Sequence, residues 1–220
     1  MALTFSKFTT TALLRSMGFS VAPSVKLTKE MADPLALAAT VGLPCFVKPD
    51  QAGSSLGITK VSSAPAMQAA LNKAFTECDT VMVEGMLTGR ELTCGVIQMH
   101  GKPQALPVCE IRTSHEFFDY EAKYHANDTQ ELVPAPIPDE VSDLVQERSV
   151  AIYRALNCGG PVRVDHMWNE EQENGDPLNT IEVNTVPGFS EASILPKMLA
   201  AANISIDTFI NALIEGLLKR

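Results

Sequence analysis

Apolar side chains recur three and four residues apart in several segments of the chain, as they do on one face of an amphipathic helix. The clearest of these segments are 3–17, 64–77 and 138–157. Gly18 follows the first segment and is a typical residue at a helix C-terminus. The same spacing predicts further helices over about 30–40, 191–202 and 205–219.

Short runs of alternating or continuous apolar residues predict strands between these helices. They lie near 21–27, 44–49, 58–61, 80–84, 91–99, 104–111, 162–168 and 178–184. Because strands and helices do not alternate strictly, the pattern predicts an α+β fold with mainly antiparallel sheets. Residues 112–138 show no periodicity, and a long connection of that kind is usually functional or disordered.

Composition excludes several classes of partner. The chain has 17 Lys+Arg against 26 Asp+Glu, a net charge of −9, and no basic run, so we expect neither nucleic acid nor an anionic membrane surface to bind it. No apolar run reaches the length of a membrane span. The five cysteines are scattered without a C-x-x-C pair, and the four histidines lack metal-ligand spacing. These features predict a cytoplasmic protein with small, buried thiols.

The two late strands carry the most informative polar residues. Period-two alternation places Arg163 and Asp165 on one face of the first strand, and Glu182 and Asn184 on one face of the second. If the strands are hairpin neighbours, these four groups converge. Two carboxylates and an amide oxygen then form an oxygen-only set that suits Mg²⁺. The alternative is a half-exposed hairpin with a solvated polar face.

Three further segments could bind anions or a nucleotide. The turn TVPGFSEAS (185–193) leads into a predicted helix, whose first amides and the Ser193 hydroxyl could bind an anion. Lys48 ends a buried strand before a small-residue loop that is not a Walker A motif. Glu84 and Glu91 flank the turn between two strands. Taken singly, the Lys48 segment is better explained as a Gly/Ser turn with a solvated lysine, and the Glu84–Glu91 segment as a hairpin turn with solvated acids.

In their order and spacing these elements resemble the ATP-grasp superfamily and, within it, the D-alanine–D-alanine ligases. The resemblance runs from about Leu3 to the C-terminus. It rests on LPCFVKPDQAGSSLGITKV, VMVEGMLTGRELTCGVI, FFDYEAKY, and GPVRVDHMW followed by NTIEVNTVPGFSEASILPKML. It implies two α+β subdomains with mainly antiparallel sheets that hold ATP between them. Residues 1–95 would form the central subdomain, and 96–220 the C-terminal subdomain with a lid loop at 112–138.

The resemblance also implies a role for individual residues. The ATP contacts would be Lys7, Lys48, the loop Gly53, Ser54 and Ser55, Glu84, the backbone of Leu87, Glu91 and Lys123. The ligands of two Mg²⁺ ions, with Mn²⁺ as an alternative, would be Asp165, Glu182 and Asn184. The groups at the reaction itself would be Arg163, the Gly188 amide, Ser54, Lys123 and Tyr124. Arg163, Gly188 and Ser193 would contact the amino acid substrates.

The function implied by the resemblance is ATP-dependent ligation of two D-alanines through an acyl phosphate, for peptidoglycan precursor synthesis. Family members carry a further α/β domain before the position of Met1 and are usually homodimers. We therefore expect a truncated form that binds Mg·ATP and ligates poorly, with its oligomeric state open. Two alternatives remain at this point: another ATP-grasp carboxylate–amine ligase, and a non-catalytic nucleotide-binding fragment.

Overall fold

The computed structural model describes residues 2–31, 36, 40–53, 56–113 and 129–218. The chain forms two compact units, which meet in sequence between Thr88 and Gly89. Thr113 and Thr129, which lie inside the expected lid range 112–138, group with the first unit. The boundary therefore lies before the expected 95/96, because residues Arg90–Met99 form one continuous strand of the second unit.

Unit 1 is a four-stranded antiparallel sheet with helices. Its strands follow the order β1-β4-β2-β3. The elements are α1 (Ala2–Phe5), α2 (Lys7–Ser16), β1 (Ser24–Thr28), β2 (Cys45–Pro49), β3 (Thr59–Val61), α3 (Met67–Glu77) and β4 (Thr80–Gly85), with 3₁₀ turns at Lys29–Met31 and Ala64–Ala66.

Alternation along β2 divides the sheet of unit 1 into an apolar and a polar face. Cys45 and Val47 are buried in a core with residues of α3, while Phe46 and Lys48 lie on the opposite face. That core also contains Leu27, Val61, Met67, Leu71, Val81 and Val83. Because α3 covers one face, the polar groups of β2 and β4 are left on the other.

Unit 2 is built on a six-stranded antiparallel sheet. The main path is β10-β9-β5-β7-β8, and β6 pairs with β5. The elements are β5 (Arg90–Met99), β6 (Lys102–Ala105), β7 (Cys109–Arg112), β8 (Gln130–Leu132), α4 (Asp139–Ala155), β9 (Val162–Trp168), β10 (Leu178–Asn184), α5 (Ile194–Ala201) and α6 (Ile206–Leu218).

Helices pack on both faces of this second sheet. On one face Val145 of α4 joins a core with Leu92, Cys94, Val108, Trp168 and Leu178. On the other face α5 lies close to Gly95, where an added Cβ would stand 2.7 Å from Leu195 Cδ1. Gly95 therefore allows α5 to approach the face that carries the odd-numbered residues of β5.

The α+β fold and its antiparallel sheets are confirmed, and the bounds predicted for β9 and β10 are those observed. The first predicted helix is instead divided at Ser6, whose side chain caps α2 by accepting from Thr9 N at 3.1 Å. The strand expected at 104–111 is two strands, because Pro107 between them has no N–H for the ladder. Residues 130–132, inside the expected lid, form β8.

The predicted helix over 30–40 falls largely outside the described residues. Among the helices that are described, none alone combines the length and the apolar composition needed to cross a membrane. Ile194–Ala201 and Ile206–Gly216 meet that test together, but with a bend of 102° between them.

Candidate active site

The strand pair β9–β10 brings the four predicted polar residues onto one face. Asp165 stands directly opposite Glu182, and Arg163 directly opposite Asn184. Directly opposed residues of an antiparallel pair project to the same side of the sheet. The hairpin neighbourhood assumed from the sequence is therefore present.

A β-bulge in β10 is needed for this alignment. Thr180 pairs with His166 and Glu182 pairs with Asp165, so Ile181 is an extra residue. In an unbroken ladder Ile181 would oppose Asp165, and Glu182 would face the core beside Val164. The sequence analysis missed the bulge. Its signal is that two apolar, buried residues of β10, Leu178 and Val183, are an odd number of positions apart.

Asp165 is held by two donors. Arg163 binds it through Nε to Oδ1 at 2.8 Å and Nη2 to Oδ2 at 2.9 Å. Thr93 of β5, which is fully buried, donates its hydroxyl to Oδ1 at 2.5 Å. The charge of Asp165 raises the pKa of Arg163, so the guanidinium stays charged. Thr93 was not among the predicted site residues, because its role depends on strand pairing across more than seventy residues.

Glu91 lies on the same face as this cluster. It is two residues before Thr93 on β5 and opposite Met167 of β9. The charges of Glu182 and Glu91 also favour the protonated Arg163 guanidinium. The predicted ribose acid and the predicted metal ligands therefore share one side of the sheet of unit 2.

The donor set fits a hard divalent cation. Within the described ranges no group of three His, Cys, Asp or Glu side chains is arranged to hold a metal ion. Asp165, Glu182 and Asn184 instead offer two carboxylates and an amide, all of them oxygen donors. Mg²⁺ prefers oxygen ligands and usually takes few from the protein, because substrate phosphates and water supply the rest. The residues thus fit Mg²⁺ by their chemistry.

The turn after β10 joins this cluster to α5. Asn184 Oδ1 accepts from Val186 N at 3.0 Å. Ser193 is the N-cap residue of α5, yet its side chain caps no helix amide and accepts from Ser190 N at 3.1 Å instead. A Cβ on Gly188 would stand 2.8 Å from Ser193 Oγ, so a side chain there would require the Ser193 hydroxyl to move. The two predicted substrate contacts in this turn therefore lie against each other.

In unit 1, Lys48 and Glu84 form a largely buried ion pair. Lys48 Nζ lies 2.5 Å from Glu84 Oε2, and the two side chains are 14% and 7% exposed. Phe46 is directly opposite Glu84, and its ring centroid lies 5.5 Å from Lys48 Nζ. The structure thus pairs two residues that the resemblance assigns to different parts of the nucleotide.

Lys7 contacts the loop that contains Gly53. Lys7, at the start of α2, donates from Nζ to the carbonyl of Ala52 at 2.9 Å. A Cβ on Gly53 would meet nothing within 4 Å. Leu87 lies in the short non-repetitive link between β4 and β5. Ser54, Ser55, Lys123 and Tyr124 lie outside the described residues.

The start of β5, just before Glu91, is fixed by groups that the sequence analysis did not single out. Gly89 has φ +136°, and a Cβ there would lie 2.2 Å from the Trp168 carbonyl oxygen. Arg90 binds Glu110 at 2.7 and 2.9 Å and lies over the Trp168 ring, 5.3 Å from its centroid. Arg112 adds a contact to Glu110 at 2.9 Å.

Cys94, Cys109 and His166 of unit 2 are buried and have a structural role. Burial raises the pKa of both Cys94 and Cys109 to about 12, so these thiols stay protonated. Burial lowers the pKa of His166 to about 3. Its neutral ring lies 2.9 Å from Ser149 Oγ and 3.4 Å from Thr180 Oγ1. All five cysteines are free thiols.

Comparison with known proteins gives consistent results. Residues 13–215 match the family described as D-ala D-ala ligase C-terminus. The chain is 39% identical over 217 residues to a D-alanine–D-alanine ligase of Phocaeicola vulgatus, covering 98% of this chain and 65% of that protein. It is 42% identical over 226 residues to one of Christiangramia forsetii, covering 100% of this chain and 66% of that protein.

Solved structures match over nearly the whole chain. The VanG D-Ala:D-Ser ligase from Enterococcus faecalis superposes with a TM-score of 0.86 at 35% identity, covering 97% of this chain and 62% of that one. The D-alanine–D-alanine ligase from Bacillus anthracis superposes with a TM-score of 0.83 at 33% identity, covering 99% of this chain and 68% of that one. The chain spans about 65% of the length of the curated relatives it matches.

Proposed function

Because the chain belongs to the D-alanine–D-alanine ligase family, of which it matches the C-terminal part, we propose that it carries the ATP- and metal-binding portion of a ligase that forms D-alanyl-D-alanine. Its fold is the ATP-grasp fold of that family. The observation that carries the proposal is the single face of unit 2 bearing Arg163, Asp165, Glu182 and Asn184.

The proposed reaction has two steps. The carboxylate of the first D-alanine attacks the terminal phosphorus of ATP, which gives an acyl phosphate and ADP. The amine of the second D-alanine then attacks the carbonyl carbon, phosphate leaves, and one proton is released overall. Activation is needed because a free carboxylate is a poor electrophile. The product would serve peptidoglycan precursor synthesis, which implies a cytoplasmic enzyme.

In unit 1, Lys48 and Lys7 would bind the phosphates of ATP, together with the loop of Gly53, Ser54 and Ser55. Glu84 and the backbone of Leu87 would bind the adenine. The Lys48–Glu84 pair supports this role, because it keeps a cation largely shielded from water until an anionic ligand replaces the carboxylate. In unit 2, Glu91 would bind the ribose.

Asp165, Glu182 and Asn184 would hold two Mg²⁺ ions, or Mn²⁺. When bound, Mg²⁺ neutralises charge on the transferring phosphoryl group. Arg163 would lie next to them as a fixed cation and, with the Gly188 amide, would stabilise the tetrahedral oxyanion. Its bidentate hold on Asp165 supports that role, since a guanidinium locked in place needs little reorganisation during the reaction.

The lid residues complete the proposal. Lys123 would reach the terminal phosphate, and Tyr124 would close over the substrates and exclude water, which otherwise hydrolyses an acyl phosphate. Ser54 would act with them on the reacting groups. Ser193 would contact the carboxylate of the second D-alanine. These four roles rest on the family resemblance.

One observation favours a second candidate for the acceptor amino acid. A D-Ala:D-Ser ligase is among the solved structures that match over nearly the whole chain. D-serine is therefore a competing second substrate, and the two candidates differ only in the amine that attacks the acyl phosphate.

The test is phosphate release from Mg·ATP by the 220-residue chain, with D-alanine alone and with D-alanine plus D-serine, D-lactate or L-alanine. Products are identified by mass spectrometry. Dipeptide formation dependent on D-alanine supports the ligase proposal, and the product identifies the acceptor. If no turnover is seen, calorimetry measures the binding of Mg·ATP. Binding then supports only the ATP-binding part of the proposal, and the absence of binding contradicts the proposal.

A further inference from the structure

A buried carboxylate next to the candidate phosphate loop has no role in the reaction outlined above. Asp50 follows β2 directly, and its side chain is completely buried. Burying a charge is costly unless it is compensated by hydrogen bonds and by an opposite charge. The contacts of Asp50 therefore indicate what this carboxylate does.

Asp50 ties the start of α2 to the loop after β2. Its Oδ2 accepts from Ser6 Oγ at 2.8 Å, and its Oδ1 accepts from Phe8 N at 2.8 Å. Its backbone carbonyl accepts from Lys7 N at 3.0 Å. Three consecutive residues at the beginning of α2 are thus bound by one residue that is more than forty positions away.

The same residue is anchored on the sheet. Asp50 N donates to the Thr80 carbonyl at 3.0 Å, at the first residue of β4. Lys26 Nζ of β1 lies 3.5 Å from Oδ2, and its side chain is 36% exposed. The carboxylate also lies at the positive end of the α2 dipole. These contacts compensate the buried charge.

This arrangement goes beyond helix capping. Ser6 already caps α2 through Thr9 N. In addition, Asp50 fixes the position of Lys7 relative to residues 50–52. Lys7 contributes to this by donating from Nζ to the Ala52 carbonyl at 2.9 Å. A long lysine side chain has many rotamers, and fixing its backbone and its neighbouring loop removes part of the entropy cost of binding.

We propose that Asp50 is a positioning residue for nucleotide phosphates, which acts by holding Lys7 and the loop at 50–53 in a fixed relation. The inference rests on the proposed ATP-binding function. Asp50 itself is buried and bonded to the protein, so it contacts no ligand. Its effect should therefore depend on how many phosphates the ligand carries, whereas a purely structural residue would affect all ligands alike.

The test is calorimetric binding of ATP, ADP, AMP and adenosine, each with Mg²⁺, to the 220-residue chain. In Asp50→Asn the charge is removed with little change of shape. We expect about tenfold weaker binding of ATP and ADP, with AMP and adenosine within about twofold, since one charge-assisted contact is commonly responsible for a tenfold change. Lys7→Ala should show the same selectivity. The double variant should be no weaker than the weaker single variant, because both changes remove one interaction.

The matched control is Asp79→Asn, the same chemical change at a side chain that is 96% exposed and pairs with Lys29. It should leave all four affinities unchanged. If Asp50→Asn does not fold, Ser6→Ala removes one donor to the carboxylate and should give a smaller loss with the same selectivity. Thermal melting verifies folding in each case.

The outcomes separate the two proposals. An equal loss for all four ligands, or additive effects of Asp50→Asn and Lys7→Ala, would overturn the positioning role. Failure of the unsubstituted chain to bind ATP would overturn the proposed function instead. Selective and non-additive loss supports the inference.

Discussion

At the residue scale, Arg163 neutralises the negative charge that Asp165 brings to the candidate metal cluster. The two side chains form a bidentate pair on one strand, at 2.8 and 2.9 Å. Glu182, directly opposite Asp165, is only half-buried. A cation bound there would use the carboxylate of Glu182 as one of its anionic oxygen ligands.

Glu182→Gln should lower the affinity for Mg²⁺ or Mn²⁺ at least about tenfold, because it removes an anionic oxygen ligand. The fold should stay intact, since the glutamine keeps the shape of a half-buried side chain. Mn²⁺ binding followed by electron paramagnetic resonance in the presence of ADP measures the change. Glu140→Gln, at an exposed acid of α4, is the matched control. Unchanged Mn²⁺ binding would contradict the ligand assignment.

The Lys48–Glu84 pair should contribute to stability mainly by avoiding an unpaired buried charge. Lys48→Met leaves Glu84, 7% exposed, without its cation and should cost about 3 kcal/mol or more of unfolding free energy. The double variant Lys48→Met with Glu84→Gln should recover a large part of that loss. Urea unfolding of the single and double variants measures both. If the double variant loses as much unfolding free energy as Lys48→Met alone, the loss does not come from leaving Glu84 without its cation.

A third residue-scale prediction concerns pH. Burial alone would raise the pKa of Glu110, but the hydrogen bonds from Arg90 and Arg112 outweigh it and lower that pKa below its ordinary 4.5. Stability from this group is then complete above about pH 4.5 and is lost as the pH falls through the lower folded-state pKa. Glu110→Gln should flatten the dependence of unfolding free energy on pH below 4.5. A curve of unchanged slope would show that Glu110 is not a source of acid sensitivity.

At the element scale, the entry into β5 depends on a glycine that no other residue can replace without strain. Gly89→Ala would place a Cβ 2.2 Å from the Trp168 carbonyl oxygen at φ +136°. We expect a loss on the order of 1–3 kcal/mol of unfolding free energy. Gly101→Ala is the control, because Gly101 also has positive φ, +77°, but open space around it. Chemical denaturation should show the larger loss at Gly89. Equal losses would mean that the contact with Trp168 is unimportant.

Elements whose pattern is local could be predicted from the sequence. The bounds predicted for β9 and β10 are those observed, and alternation over 162–165 also identified the face that bears Arg163 and Asp165. The bulge at Ile181 could not be derived in the same way, because it depends on which residue of β9 each residue of β10 opposes. The roles of Thr93 and Asp50 could not be predicted for a similar reason, since their hydrogen-bond partners are distant in the chain.

At the scale of the whole molecule, the candidate binding groups of each unit lie together on one face of its sheet. In unit 1 the lysine of β2 lies opposite the face that α3 covers. In unit 2 the carboxylates of β9 and β10 lie opposite the face that α4 covers. The proposed binding of an anionic nucleotide to a chain with a net charge of −9 would therefore use locally placed cations.

The extra residue in β10 has a consequence for how this gene tolerates insertions and deletions. Loss of the Ile181 codon would remove the bulge and leave Thr180 opposite His166, Glu182 opposite Asp165 and Asn184 opposite Arg163. Loss of the Asn179 or Val183 codon would shift one part of the strand by a residue and turn its side chains to the wrong face. In a library of single-codon deletions, position 181 should therefore be the permissive one of the three.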